Sequence, residues 1–346
     1  VSMWARLFGA SNVVMNLSNT PGATVSSATG ANITGTDYKT FMLYLSKLTI
    51  NQDVNLDNAN DDFNQLEIAN SSIDNNTPQT ITGTQIGQVA LAQENIAAKN
   101  QVDVTLNNFG KINLSGINST GMYAKFGVLN NESSGKITIT NSSAAMYGKK
   151  DSLLTNKGIV TAGSDSTAMY SEDTDQSIIN NGIINITGDN SIALLYKPKE
   201  ISMAGTSLLL NRGTINITGD KNVAMYATKM SGTTPEYTVE NNGIITMENS
   251  TSLLNPNVAM YSDSPEHILK NSNLGKITTG KNTIAIYGYG AENIGNIKIG
   301  NAGIGIYSQN GDVKLTGGKI TTGTDEAVGV YTVGTWQKIY TTGHGI

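Results

Sequence analysis

The chain has 346 residues, only 14% of them charged, and a formal net charge of −5. So sparse and acidic a charge excludes the basic face that phosphate binding needs, and zero cysteine excludes disulfides, thiolate zinc sites and a cysteine nucleophile. His267 and His344 are the only histidines, which excludes a histidine-rich metal centre as well.

The chain opens on Val1, and Ser2–Asn19 has neither the charged start nor the cleavage site of a signal peptide. It reads as a piece of a longer protein. Residues 1–38 read as an entry or cap segment of undetermined fold: a solenoid end exposes apolar coil edges unless it is covered, so either this stretch caps it or more chain precedes it. Residues 39–106 read as degenerate N-terminal coils. Lys39–Ile50, "KTFMLYLSKLTI", is strand-like. "DVNLDNANDD" places Asp53, Asn55 and Asp57 at alternating positions, as in the start of a calcium-binding EF-hand loop. Asn58 and Asn64 stand where that loop needs Gly and Glu, and the other reading is a polar surface loop. "TITGTQIGQVALA" (Thr80–Ala92) resembles a worn repeat with Ala92 in its last place, and Gln85–Asn100 reads as strand or short helix.

From residue 107 to 346 the repeat is plain. "NNFGKINLSGINSTGMY" (Asn107–Tyr123) recurs as "GKITITNSSAAMY" (Gly135–Tyr147), "NRGTINITGDKNVAMY" (Asn211–Tyr226) and "GGKITTGTDEAVGVY" (Gly317–Tyr331). About nine such units end 20–35 residues apart. Helical repeats keep a tighter period of roughly 33–34 residues. Alternating β-branched residues with Gly and Asn between them are the grammar of strands and turns. The fold expected is all-β, a right-handed parallel β-helix of three short strands per coil.

Alternation assigns faces. In the first strand Ile112, Leu114, Ile184, Ile186, Ile215 and Ile217 are expected inside. In the second, the residues one and three before the Tyr (Met225 and Val223, for example) are expected inside. The Tyr is then outside, with the Ala or Gly two places before it (Gly121, Ala145, Ala168, Ala224, Ala259, Ala285, Gly305, Gly329). The third strand is the run before the Asn: Leu106, Leu129, Leu154, Ile179 and Leu210. Tyr123, Tyr147, Tyr170, Tyr226, Tyr261, Tyr287, Tyr307 and Tyr331 then form an external ladder, about 4.8 Å from ring to ring. It reads either as an aromatic stripe for sugar or protein, or as side chains stacked on one another. The Asn column, from Asn107/Asn108 to Asn271, reads as an amide ladder with a tolerance for left-handed corners. Gly116, Gly163, Gly188, Gly219, Gly280, Gly300 and Gly323 are expected to supply positive φ at the second corner.

Long periods mark insertions. "KPKEISMAG" (Lys197–Gly205) and "ATKMSGTTPEY" (Ala227–Tyr237) follow neighbouring second strands, and "TSLLNP" (Thr251–Pro256) interrupts the next coil. Loops at one corner of successive coils stack on one side. Lys197, Lys199, Glu200, Lys229, Glu236 and Tyr237 are therefore the candidate ligand-binding protrusion, with tolerated loop drift as the plainer reading. Asp189 and Asp220 occupy the same place in consecutive repeats, about 5 Å apart if stacked, near the carboxylate separation of retaining glycosidases. They also lie in Thr-Gly-Asp turns, where Asp is ordinary. Glu172, Asp173 and Asp175 add an acidic cluster.

The "NNGxIxITGDxxxAMY" coils, clearest at Asn180–Leu195 and Asn211–Tyr226, carry a resemblance. So do "LTINQDVNLDNANDDFNQLEIANSSI" (Leu48–Ile73) and "TGTQIGQVALAQ" (Thr82–Gln93). Over roughly residues 40–340 they resemble the passenger repeats of the large fusobacterial type V autotransporter adhesins, the RadD-like group. The resemblance implies a β-helix passenger secreted across the outer membrane and displayed on the cell surface. It implies partners among host receptor proteins, host glycans or other bacterial cells, and no catalytic residue. No cofactor, nucleic acid partner or membrane insertion by this chain is expected. The alternatives are a carbohydrate-active β-helix enzyme (lyase or glycosidase) and a toxin-type passenger.

Overall fold

A computed structural model describes residues 3–6, 13–16, 31–34, 41–44, 47–50, 53–58, 65–68, 72–94, 105–174, 176–198, 207–228, 237–252, 254–335 and 337–342. The regular structure in them is strand, apart from the single 3-10 turn Leu56–Asn58. The chain divides into two compact units, Val1–Ala162 and Gly163–Ile346.

Each unit winds three parallel sheets into a right-handed β-helix, the hand that parallel crossovers take. In the first unit one coil runs through Thr105–Asn108, Lys111–Leu114 and Thr120–Lys125, and the next through Val128–Asn131, Lys136–Ile139 and Ala144–Lys149. In the second unit Ser207–Asn211, Thr214–Ile217 and Val223–Ala227 are followed by Tyr237–Asn241, Ile244–Met247 and Asn257–Ser262. These three positions define an asparagine sheet, an isoleucine sheet and a tyrosine sheet. Pairing puts like on like: Asn131 on Asn156, Ile112 on Ile137, Tyr123 on Tyr147, and in the second unit Asn211 on Asn241, Ile215 on Ile245, Tyr226 on Tyr261.

Thr80–Gly83 pairs with Lys111–Leu114, and Val89–Glu94 with Thr120–Lys125, so the ambiguous stretch from Gln85 is strand over Val89–Glu94. Residues 95–104 lie outside the described residues. Within the opening segment, Met3–Arg6 pairs with Phe41–Tyr44, and Val13–Asn16 with Ala31–Thr34.

The core of each unit is a set of vertical files. Ile81, Ile112, Ile137 and Val160 in the first unit, and Ile184, Ile215, Ile245, Ile277 and Ile297 in the second, are at most 1% exposed. Burial of each such side chain contributes about 1.5–3 kcal/mol. Beside them runs a buried amide file. Asn75 Nδ2 donates to Asn108 Oδ1 at 2.7 Å, Asn108 to Asn131 at 2.8 Å, and Asn131 to Asn156 at 2.8 Å. In the second unit Asn180 donates to Asn211, Asn211 to Asn241, Asn241 to Asn271 and Asn271 to Asn293, at 2.8–2.9 Å. A primary amide has both donors and an acceptor, so it can satisfy a buried site from two sides.

Three expectations are corrected. The Ala or Gly two before the Tyr faces inward: Ala145, Ala168, Ala224, Ala259 and Ala285 are 0% exposed. The residue three before it (Ala144, Val223, Ile284) is half-exposed. Strand pairing skips the small residue in each coil, going from Thr120–Ala144 to Met122–Met146 and from Val223–Val258 to Met225–Met260. The strand kinks there, and two neighbours in sequence both point into the core. The corner is narrow: a Cβ on Gly121 would meet the Ala145 carbonyl oxygen at 2.6 Å and Ile137 Cγ2 at 2.9 Å.

Of the turn glycines only Gly219, at φ 93°, has positive φ. Asn118, Ser142, Asp165, Asn190, Lys221 and Asn282 take the left-handed conformation instead, and the amide-file asparagines do not. Glycine is required for close approach. A Cβ on Gly116 would lie 1.7 Å from the Gln85 carbonyl oxygen, and on Gly300 2.5 Å from the Gly280 carbonyl carbon. In the asparagine sheet of the second unit Ile178 and Leu209, two places before the file Asn, are 0% exposed, and Leu210 is buried beside them at 6%.

Candidate binding surface

The tyrosine sheet turns its rings outward. Tyr123 and Tyr147 stand 5.4 Å apart between ring centres in the first unit. In the second, Tyr226–Tyr261 is stacked at 4.8 Å and 26°, Tyr261–Tyr287 is 5.1 Å at 31°, Tyr287–Tyr307 is 4.7 Å edge to face, and Tyr307–Tyr331 is 5.4 Å at 32°. Leu195 interrupts the file between Tyr170 and Tyr226. Such ring pairs contribute about 0.5–1.5 kcal/mol beyond burial. Neighbouring tyrosines thus cover much of the ring faces that a sugar would stack on. Two hydroxyls are tied down: Tyr170 donates to Glu172 at 2.6 Å, and Tyr226 to Asp263 at 3.0 Å. Burial, with these carboxylates second, raises both phenols well above their usual 10.

The expected protrusion is only partly in view. Lys197 is exposed near the end of Ile192–Pro198, paired in register with Glu172. Lys199, Glu200, Lys229 and Glu236 lie outside the described residues. Tyr237 begins the strand Tyr237–Asn241. The strands before the two long insertions, Ile192–Pro198 and Val223–Ala227, lie in the tyrosine sheet, and the strands after them, Ser207–Asn211 and Tyr237–Asn241, in the asparagine sheet, so both insertions fall at the same corner of successive coils. The third insertion lies at the other corner, between Met247 and Asn257, and exposes Leu254.

The acidic candidates serve as coil-to-coil caps. Asp189 Oδ1 accepts the Asp220 backbone N–H at 2.8 Å, and Asp220 in turn accepts the Thr251 N–H at 2.7 Å and the Thr251 hydroxyl. The Thr251 hydrogen bonds hold the Asp220 carboxyl below its usual 3.8. A carboxylate so engaged is a poor proton donor. The would-be calcium residues act alike. Asp53 accepts the Thr80 N–H at 2.8 Å, Asn55 Oδ1 accepts the Asp57 N–H at 3.0 Å, and Asp57 accepts the Thr84 N–H and hydroxyl and the Gln88 amide. Burial pulls the Asp57 carboxyl up, but these hydrogen bonds together leave it below 3.8. Among the described residues no three His, Asp or Glu side chains converge as a metal site. Glu172 is half-exposed at the start of the acidic cluster; the side chain of Asp173, and Asp175 altogether, lie outside the described residues.

Sequence reasoning passed over His267. It is 3% exposed, and its Nδ1 is 2.7 Å from the Ser262 hydroxyl. Burial pushes its pKa down to about 4 despite the pull of Glu266. Ser262 is itself 1% exposed, so the pair is shut away from any substrate.

A family model described as the BigA third pectate lyase-like domain matches residues 10–206, more than half of the chain. No curated protein and no solved structure matches.

Proposed function

We propose, from a chain that belongs to the BigA third pectate lyase-like domain family, that this protein is a non-enzymatic adhesin passenger of the RadD-like autotransporter kind. On this reading it is displayed on the cell surface, where its loops bind host receptor proteins, glycans or other bacterial cells. The observation that carries the reading is the use of Asp189 and Asp220 as backbone caps. The pair of turn acids best placed for sugar chemistry is already engaged by the scaffold. The opening of two long insertions at one corner of successive coils supports recognition there, since a fold of stacked coils presents such loops side by side. Weak contacts repeated over many displayed copies add avidity.

The experiment pits binding against catalysis. Soluble chain is added to whole-cell attachment assays, and separately incubated with polysaccharides at several calcium levels. The reading expects competition for attachment and no new sugar ends. New reducing or unsaturated ends that disappear in Asp189→Ala or Asp220→Ala would replace it with a carbohydrate-active enzyme. Dye release from liposomes would replace it with a toxin-type passenger.

A further inference from the structure

In the second unit Tyr226, Tyr261, Tyr287, Tyr307 and Tyr331 pair in register in consecutive coils. Their ring centres are 4.7–5.4 Å apart, although neighbours are 20–35 residues apart in sequence. Tyr226, Tyr261, Tyr287 and Tyr307 are half-exposed, and Tyr331 is 48% exposed. The chain has no thiol to compete for an oxidant, and the adjoining Met225 and Met260 are 0% exposed. An oxidant arriving from solvent at this file therefore meets phenols first.

One pair stands out. Tyr226 and Tyr261 are the most nearly parallel, at 26°. The Tyr226 hydroxyl already donates to Asp263 Oδ2 at 3.0 Å, within reach for proton transfer. We propose that this file is an oxidative cross-linking site, at which Tyr226 and Tyr261 are joined by a carbon–carbon bond. The oxidant is hydrogen peroxide acting through a heme peroxidase. Each phenol gives up one electron and one proton, Asp263 accepting the proton of Tyr226. The two phenoxyl radicals couple through ring carbons next to the hydroxyl-bearing carbons. The hydrogens on those carbons then move to the oxygens, which restores both phenols. Two electrons and two protons leave in all, and the peroxide is reduced to two waters. The Tyr226 hydroxyl already directs its hydrogen at Asp263, so its proton leaves through this acceptor. The bond ties neighbouring coils, and like any cross-link between distant residues it limits the unfolded chain.

The test treats the full chain, at high dilution, with peroxide and a heme peroxidase, and reads dityrosine fluorescence and linked tryptic peptides by mass spectrometry. The expected result is a link between the peptides carrying Tyr226 and Tyr261. Its yield should be unchanged by further dilution and lost in Tyr261→Phe, which keeps the ring and removes the phenol. Asp263→Asn should slow its formation. Dityrosine found only in dilution-sensitive dimers, tyrosine oxidised without this link, or an undiminished link yield in Tyr261→Phe would each overturn the proposal.

Discussion

Asn211 is held from both sides: it accepts from Asn180 Nδ2 and donates to Asn241 Oδ1, each at 2.8 Å, with no exposure to water. Asn211→Ala would take the Oδ1 acceptor from Asn180 Nδ2 and the Nδ2 donor from Asn241 Oδ1, which keeps the 3.3 Å bond from the Gly243 N–H, at about 1–3 kcal/mol each. Urea unfolding should show a loss of roughly 3 kcal/mol, and a loss well under 1 kcal/mol would mean the amide file is ornamental. His267 makes a second prediction at this scale. Its pKa is about 4 when folded against 6.5 unfolded. The unfolded chain therefore takes up a proton first as pH falls, and stability present above 6.5 is lost progressively down to about 4. The loss is at most about 3 kcal/mol. His267→Gln should flatten the stability curve across that window. The lowered carboxyls of Asp57 and Asp220 act only below 3.8, so their loss remains. The Asn and Tyr files could be read from sequence because their residues recur at one place in each repeat. Asn75 escaped notice because no Asn-x-Gly-x-Ile run follows it, whereas Asn293 heads such a run, Asn-Ile-Gly-Asn-Ile, and was legible though left out of the column. His267 escaped because one histidine has no pattern.

The strand is where period-two reasoning succeeded and failed. In the isoleucine sheet alternation holds, and Ile112 and Ile137 are inside as their spacing requires. In the tyrosine sheet a kink places Ala224 and Met225 side by side in the core, both 0% exposed. Alternation alone cannot register a kink, but the restriction of that position to Ala or Gly carried the sign of it. Ala224→Leu should cost about 1–3 kcal/mol by overpacking. Calorimetry of the variant checks this, and an unchanged midpoint would restore the outward assignment. The turns teach the same lesson. Glycine at Gly116 and Gly300 looked like a need for positive φ, but the need is room, because the backbone of the preceding coil lies where a Cβ would be. The turn carboxylates, weighed as catalysts or calcium ligands, are acceptors for the next coil's N–H groups.

At the scale of the whole molecule, each unit is a sum of coils that bind their neighbours, so insertions between strands disturb little. That separates scaffold from recognition. Fold class was legible because every coil repeats the same demands on side-chain size and hydrogen bonding. The candidate binding surface was legible only in outline, as positions where the period lengthens, since an insertion of variable length leaves no periodic trace. The most direct measurement deletes Lys199–Ala204 and compares the attachment competition and thermal midpoint of the shortened chain with those of the intact one. The account predicts weakened competition with the midpoint and β-rich circular dichroism unchanged. Full competition by the shortened chain, or binding lost only together with the fold, would contradict it.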